Sequence, residues 1–273
     1  MSERRVVLVT GSTDGIGRAT ARALAAGGMR VIVHGRTRHK VDATLAALAA
    51  ELPGAELEGV SFDLGSPAAV RRGAEQILER APALHVLINN AGIFAEERVV
   101  TDDGIELTFA VNHIGPFVLT ELLAPRLEAS ATSAPSRVIN VASIAHTRGR
   151  IHLDDLTLAR GWTGYAAYAM SKLANVMHTL TLAERHRPDK LVAYSVHPGV
   201  IGTKLLRQGF GPVVGSAVEV GARAQVRLAG EEEVTAPSGS YFSEGVQAQP
   251  APAARDAAMR AALWDASLRL AKL

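Results

Sequence analysis

The sequence predicts an α/β fold in three layers, a doubly wound parallel sheet with helices on both faces. Two observations carry that prediction. Short apolar runs alternate with helical patterns along most of the chain, which implies strands joined by right-handed crossovers. The runs are continuously hydrophobic, as strands buried on both sides should be.

The elements follow in order. "RRVVLVT" precedes a helix from Ile16, "RVIVH" precedes "HKVDATLAALAAEL", and "LEGVSFD" precedes "PAAVRRGAEQILER". "LHVLINN" leads to a helix through "FVLTELLAPRLEA", "SRVINVAS" leads to a helix containing "YAAYAMSK", and "KLVAYSVHP" is the sixth run. "AQPAPAA" reads as a loose connection into a last helix, whose Met259, Leu263, Ala266, Leu270 and Leu273 make a narrow apolar stripe. No linker or repeat divides the chain, so residues 1–273 are expected to form one domain. The stripe is expected to pack on that domain and not on a membrane, because its face carries few cations.

Composition narrows the function. Apolar residues make up 48% of the chain, enough for a sizeable core, and 29 Lys and Arg against 27 Asp and Glu leave a formal charge of only +2. The basic residues are spread along the chain, so nucleic acid is not expected as a partner. With no cysteine there is no disulfide, thiolate nucleophile or cysteine-bound metal. The N-terminal "MSERRVVLVTG" has no apolar stretch long enough for a signal or membrane span, and a cytoplasmic location is expected.

In a doubly wound sheet the ligand lies beyond the carboxyl ends of the strands, where strand order reverses. After the first strand comes "TGSTDGIG", in which Gly11, Ser12, Thr13, Gly15, Ile16 and Gly17 form a tight turn opening a helix. Glycines let backbone amides approach a pyrophosphate, and the helix adds its positive end. The strand before and helix after are the context that confirms such a turn. At the end of the second strand Gly35 stands where a carboxylate would bind the ribose of a cofactor without a 2′-phosphate. Arg36 follows, with Thr37, Arg38 and Lys40 behind it, which favours NADP(H) over NAD(H). Asp63 and Leu64 are placed to meet the adenine, although Asp63 could equally cap the helix starting near Ser66.

Tyr168 and Lys172 are one helical turn apart, about 6 Å in rise, whereas Tyr165 lies about 10.5 Å from Lys172 along the axis. Distance therefore selects Tyr168. At about 6 Å and an effective dielectric near 20, the attraction is roughly 2.8 kcal/mol, predicting a phenol about two pKa units more acidic than usual. Ser143 ends the fifth run and could hold a carbonyl oxygen beside that phenol. Asn112 could supply a polar station leading to Lys172, and Pro116 predicts local helix irregularity.

Together "TGSTDGIG", "NNAG" at 89–92, "VNHIG", Ser143, "YAMSK" and "HPGVIGT" at 197–203 resemble the short-chain dehydrogenase/reductase family over nearly the whole chain. The resemblance implies a Rossmann-type sheet of about seven parallel strands and hydride transfer between a nicotinamide cofactor and an alcohol or carbonyl. It makes Tyr168 the general acid/base, Lys172 its tuner and ribose ligand, Ser143 the orienting hydroxyl and Asn112 the relay. Asn90, Ala91 and Gly92 would flank the cofactor ribose, and Pro198, Gly199 and Thr203 would hold the nicotinamide. The long interval between Ser143 and Tyr168, with "YSVHPG", is similar to the retinol dehydrogenase-like branch. Relatives often pair through helices near 112–128 and 165–186, so a homo-oligomer is a possible assembly.

Beyond Thr203, "KLLRQGFGPVVG" mixes apolar side chains with glycines, suggesting a lid over about 203–230 and a hydrophobic small-molecule substrate. His146, His152, Asp154 and Asp155 lack the spacing of a metal site, and none is expected. The expected function is hydride transfer between NADP(H) and a carbonyl or alcohol, in the direction of carbonyl reduction. A non-catalytic NADP(H)-binding sensor or scaffold is the alternative; an S-adenosylmethionine methyltransferase would leave Arg36 and the Tyr-Lys pair unexplained.

Overall fold

The computed structural model describes residues 4–273. Alternation along the first strand, β1 (Val6–Val9), divides its side chains between two cores: Val6 and Leu8 enter one, Val7 and Val9 the other. The same division runs through β2 (Arg30–Gly35), β3 (Leu57–Ser61), β4 (Val86–Asn89), β5 (Ser136–Val141) and β6 (Leu191–His197). Helices α1 (Gly15–Ala26), α2 (Arg38–Glu51) and α7 (Val218–Gly230) cover one face. The other face takes α3 (Pro67–Arg80), α4 (Leu107–Ser130), α5 (Gly164–Arg185) and α8 (Ala257–Ala271). The short α6 (Lys204–Phe210) stands outside both layers and buries no residue.

The sheet order is β3-β2-β1-β4-β5-β6-β7-β8, with every pair parallel until the last. Strands β1 to β7 supply the seven parallel strands implied above. An eighth strand goes beyond that expectation: β7 (Tyr241–Ser243) turns back into antiparallel β8 (Val246–Ala248). Glu244 and Gly245 make the turn with φ of 51° and 86°, the hand that matches strand twist. Three-residue strands are too short to register as apolar runs.

Caps set several helix starts. Thr163 accepts from the Ala166 amide at 3.0 Å, and Ser66 accepts from Ala69 at 3.4 Å. Helix α4 contains a π-helical turn over Ala110–Ile114, just before Pro116, so the expected irregularity falls one turn upstream. By length and mean hydropathy of 1.3 this helix could cross a membrane, but 78% of its apolar window is buried, which marks a core helix.

Helix α8 packs on its own domain along the expected stripe except at its end, with Met259 and Leu270 partly buried against the core, and its buried face is wider than expected. Leu263 and Ala266 are buried, but so are Arg260, Trp264 and Ser267, whereas Leu273 is 45% exposed. The reason is Trp264, which meets Phe117 of α4 at 4.9 Å and His178 of α5 at 5.9 Å and so turns the helix towards the groove between them. The preceding "AQPAPAA" is not loose: the Ala251 amide donates to His146 Nε2 at 3.1 Å, and Ala251 and Ala254 are buried.

Arg137 of β5 is buried and donates to the carbonyls of Leu228, Glu231 and Glu232 at 2.7, 2.5 and 2.8 Å, closing the carboxyl end of α7. Arg137→Met leaves those acceptors without their donor and is expected to cost about 3 kcal/mol of unfolding free energy. Chemical denaturation checks this; a loss below about 1 kcal/mol would mean that water replaces the guanidinium without penalty.

Candidate active site

Strand order reverses between β1 and β4, and a cleft of about 1020 Å³ opens there at the carboxyl ends of the strands. Its walls include Gly11, Thr13, Gly15, Ile16 and Gly17 at one end and Ser143, Tyr168, Lys172, Pro198, Gly199 and Thr203 at the other. Arg36, Asp63, Leu64, Asn90, Ala91 and Gly92 lie along it.

The glycine turn is crowded in a way that only glycine permits. A Cβ on Gly17 would lie 2.3 Å from the Gly11 carbonyl oxygen, and Gly11 itself has φ +63° with Ala91 Cα 2.8 Å from its would-be Cβ. The turn is braced from behind. Ser12 is fully buried, donates to Val9 O at 2.7 Å and accepts from His34 N at 2.9 Å. It therefore shapes the turn without lining the cleft. Asn90 Nδ2 donates to Thr10 O at 2.9 Å, so its side chain ties the fourth strand end to the first. Asp14, which the sequence reading passed over, caps α1 by accepting from Gly15 N at 2.7 Å.

At the adenosine end Arg36 is exposed along the cleft, while Thr37 does not line it and serves as the first residue before α2. Arg38 is paired with Asp42 at 2.7 Å. Gly35 is tight against Thr13, whose Cγ2 would lie 2.5 Å from an added Cβ, so a side chain at Gly35 would displace Thr13. The cap of α3 is Ser66, and Asp63 instead accepts from Gly65 N at 2.8 Å on the cleft wall.

The two tyrosines separate clearly. Tyr165 is 38% exposed at the mouth, whereas Tyr168 is 6% exposed and lies close enough to Ser143 for that side chain to act on its acidity. Ser143 Oγ also accepts from Ala145 N at 3.2 Å, which fixes its rotamer at the start of a 3₁₀ turn. Lys172 is buried on the same helix, donates from Nζ to Val141 O at 2.8 Å, and lies 5.6 Å from the Tyr168 ring centre. The carbonyl that ends β5 thus holds the amine in place.

One expectation is corrected here. Tyr168 is not made more acidic: burial pushes its phenol up to about 12, offset in part by Ser143, and Lys172 contributes nothing comparable. The amine is itself depressed to about 8 by burial, and its nearest polar partner is the Val141 carbonyl. Coulomb attraction at one turn's distance is outweighed by desolvation of both groups. In this form the phenol keeps its proton at neutral pH and is a donor.

Asn112 is fully buried in the π turn. Its Oδ1 accepts from Ile93 N at 2.8 Å and its Nδ2 donates to Ile93 O and Ser171 Oγ, both at 3.0 Å. It does not line the cleft. Both Asn112 Oδ1 and Lys172 Nζ border the bare face of Gly92, at 3.5 and 3.3 Å from its would-be Cβ. Phe94 and Phe210 close over Tyr168 with ring centres 5.8 and 5.9 Å away, a cover the sequence foreshadowed only for Phe210. His146 and the acids of the long insert have other tasks. His146 Nδ1 donates to Ser143 O at 2.7 Å, Asp155 accepts from Ala159 N and Arg160 N, and Asp154 pairs with Arg160.

The residues present fit a nicotinamide dinucleotide: a cradle without Cβ atoms at a helix N-terminus, an extended groove, and a fixed cation and phenol at its far end. Hydride exchange with such a cofactor needs a proton donor at the reacting carbon's oxygen, and Tyr168 with Ser143 supplies one. These features define the class as NAD(P)-dependent oxidoreductases.

Comparison with known proteins agrees. The family model described as short chain dehydrogenase matches residues 5–210, and the chain belongs to that family. It is 37% identical to retinol dehydrogenase 12 of Homo sapiens over 97% of this chain and 86% of that one. It is also 37% identical to the polyprenol dehydrogenase of Mus musculus, over 97% of this chain and 83% of that one. A crystal structure of an uncharacterized protein from Mycobacterium paratuberculosis superposes with a TM-score of 0.80 at 35% identity, covering 98% of this chain and 93% of that one.

Proposed function

We propose that the protein reduces a carbonyl group on a largely apolar small molecule with NADPH. The single observation that carries the reading is Tyr168, a buried phenol beside Ser143 at the end of the cleft, placed to donate a proton to a carbonyl oxygen. The cofactor, when bound, supplies the hydride. Ser143 and Tyr168 hydrogen-bond the substrate oxygen, and Tyr168 donates its proton as negative charge develops there. Lys172, fixed by Val141 O and bordering Gly92, would present its ammonium to the cofactor ribose. Asn112 holds the backbone at Ile93 and so positions Gly92 along the cofactor groove.

NADP(H) is preferred over NAD(H) because Arg36 is available to a 2′-phosphate and Gly35 offers no carboxylate to ribose hydroxyls. Arg36→Ala is expected to raise KM for NADPH about tenfold or more while changing that for NADH less than about twofold. Parallel steady-state titrations with the two cofactors check it, and equal shifts would remove Arg36 from phosphate recognition.

An apolar substrate is supported by Phe94, Tyr165, Phe210 and Val213 on the cleft wall, and by two relatives whose names specify retinol and polyprenol, both isoprenoid alcohols. Helix α7 packs on α1, with Gly221 against Ile201 and Ile16, so the lid is confined to about 203–217, with Phe210 as its inner contact. A cytoplasmic location belongs to the same proposal.

The test is NADPH consumption against a panel of apolar aldehydes and ketones, isoprenoid ones included. Turnover on at least one is expected. Tight NADPH binding with no turnover on any carbonyl, and none on the matching alcohols with NADP, would point instead to a sensor.

A further inference from the structure

His34 has no part in the chemistry above, yet it joins three of the strand ends that frame the cleft. It lies near the end of β2 and is 2% exposed. Its Nδ1 accepts the amide hydrogen of Gly11 at 3.1 Å, and its Nε2 lies 3.1 Å from the carbonyl oxygen of Phe62, which follows β3. A carbonyl can only accept, so Nε2 carries the proton and Nδ1 is the bare acceptor. The main chain adds two bonds, His34 N to Ser12 Oγ and Ser12 N to His34 O, both 2.9 Å. Any residue could make those through its backbone. The bond to Gly11 needs a side-chain acceptor of this reach.

The ring is held from behind as well. It lies 4.2 Å from the Phe62 ring, and Phe62 fits because Gly73 of α3 has no Cβ, which would fall 2.1 Å from Phe62 Cδ1. A chain of contacts therefore runs from α3 through Phe62 and His34 to the first glycine of the turn. Gly11 sits at φ +63°, where nothing in its own residue fixes the direction of its amide. Without His34 that amide has no partner on the protein side and turns towards water or the cleft.

We infer that His34 is a positioning residue for the dinucleotide: it draws the Gly11 amide back from the cleft and locks the phosphate-binding turn to the adenine-side end of β3 before the cofactor arrives. The inference rests on the dinucleotide reading of the cleft. It predicts an effect on cofactor affinity alone, since the apparent dissociation constant rises as the competent fraction of the turn falls.

The experiment compares the wild-type protein with His34→Leu and His34→Asn by NADPH binding and steady-state kinetics. His34→Leu removes the acceptor and is expected to raise Kd and KM for NADPH about tenfold, with kcat and the carbonyl's KM within about twofold. His34→Asn keeps an acceptor near the Nδ1 position and is expected to recover most of the loss. If His34→Leu is insoluble, His34→Phe, which keeps ring volume without an acceptor, takes its place with the same expectation. Wild-type affinity in the apolar variant, or an asparagine variant no better than it, would overturn the inference. A wild-type protein that binds neither NADPH nor NADH would instead overturn the dinucleotide reading itself.

Discussion

Tyr168→Phe is expected to lower kcat for carbonyl reduction by about a hundredfold or more, with NADPH affinity unchanged within about twofold. The phenol lies beside Ser143 on the cleft wall, and phenylalanine keeps the ring that packs on Phe94 and Phe210. Packing is preserved and the proton is lost, so kcat falls without a matching rise in KM. Stopped-flow reduction under single-turnover conditions reads the chemical step directly. A variant with an unchanged chemical step would show that water or Ser143 supplies the proton.

Stability is expected to fall by about 2 kcal/mol per buried histidine between about pH 7 and about pH 5, through His34 and His113. Burial depresses both to about 4 in the folded protein, against about 6.5 when unfolded. Below about 6.5 the unfolded chain binds protons that the folded chain refuses, so stability is intact above that pH and is lost as pH falls towards 4. The bond to the Phe62 carbonyl and the charge of Asp63 oppose the shift of His34, and the nearby Asn175 side chain opposes that of His113, but desolvation outweighs them. Together the two losses are a large share of a typical unfolding free energy of roughly 5–15 kcal/mol. Urea denaturation across this range measures the slope. A flat profile would mean that both rings are hydrated or already charged in the native state.

The architecture was legible because parallel strands buried on both faces must be largely apolar, and β1, β2, β4, β5 and β6 read that way, whereas β3 at the sheet edge buries only Gly59 and Val60. The β7–β8 hairpin was not, although its Glu244-Gly245 turn carried a usable signal. At the site, spacing alone separated Tyr168 from Tyr165, because helical rise is fixed. The acidity of Tyr168 was misjudged because burial, unlike spacing, depends on Phe94 and Phe210, which arrive from distant parts of the chain. Ser12 and Asn112 were placed in the right neighbourhood, but their side chains serve the backbone that lines it. His34 did leave a trace, as a lone polar residue ending an apolar run, and a sequence does not say which amide such a ring will face.

Helix α8 fills the groove between α4 and α5 with Trp264, and Ser267 meets His113 beneath it. A chain ending before Ala257 would bare Phe117 and two uncharged imidazoles to solvent, leaving a sticky trench where the domain now has a finished wall. The last fifteen-odd residues thus behave as a built-in stopper. Truncation into this helix is expected to lower solubility before it lowers catalysis.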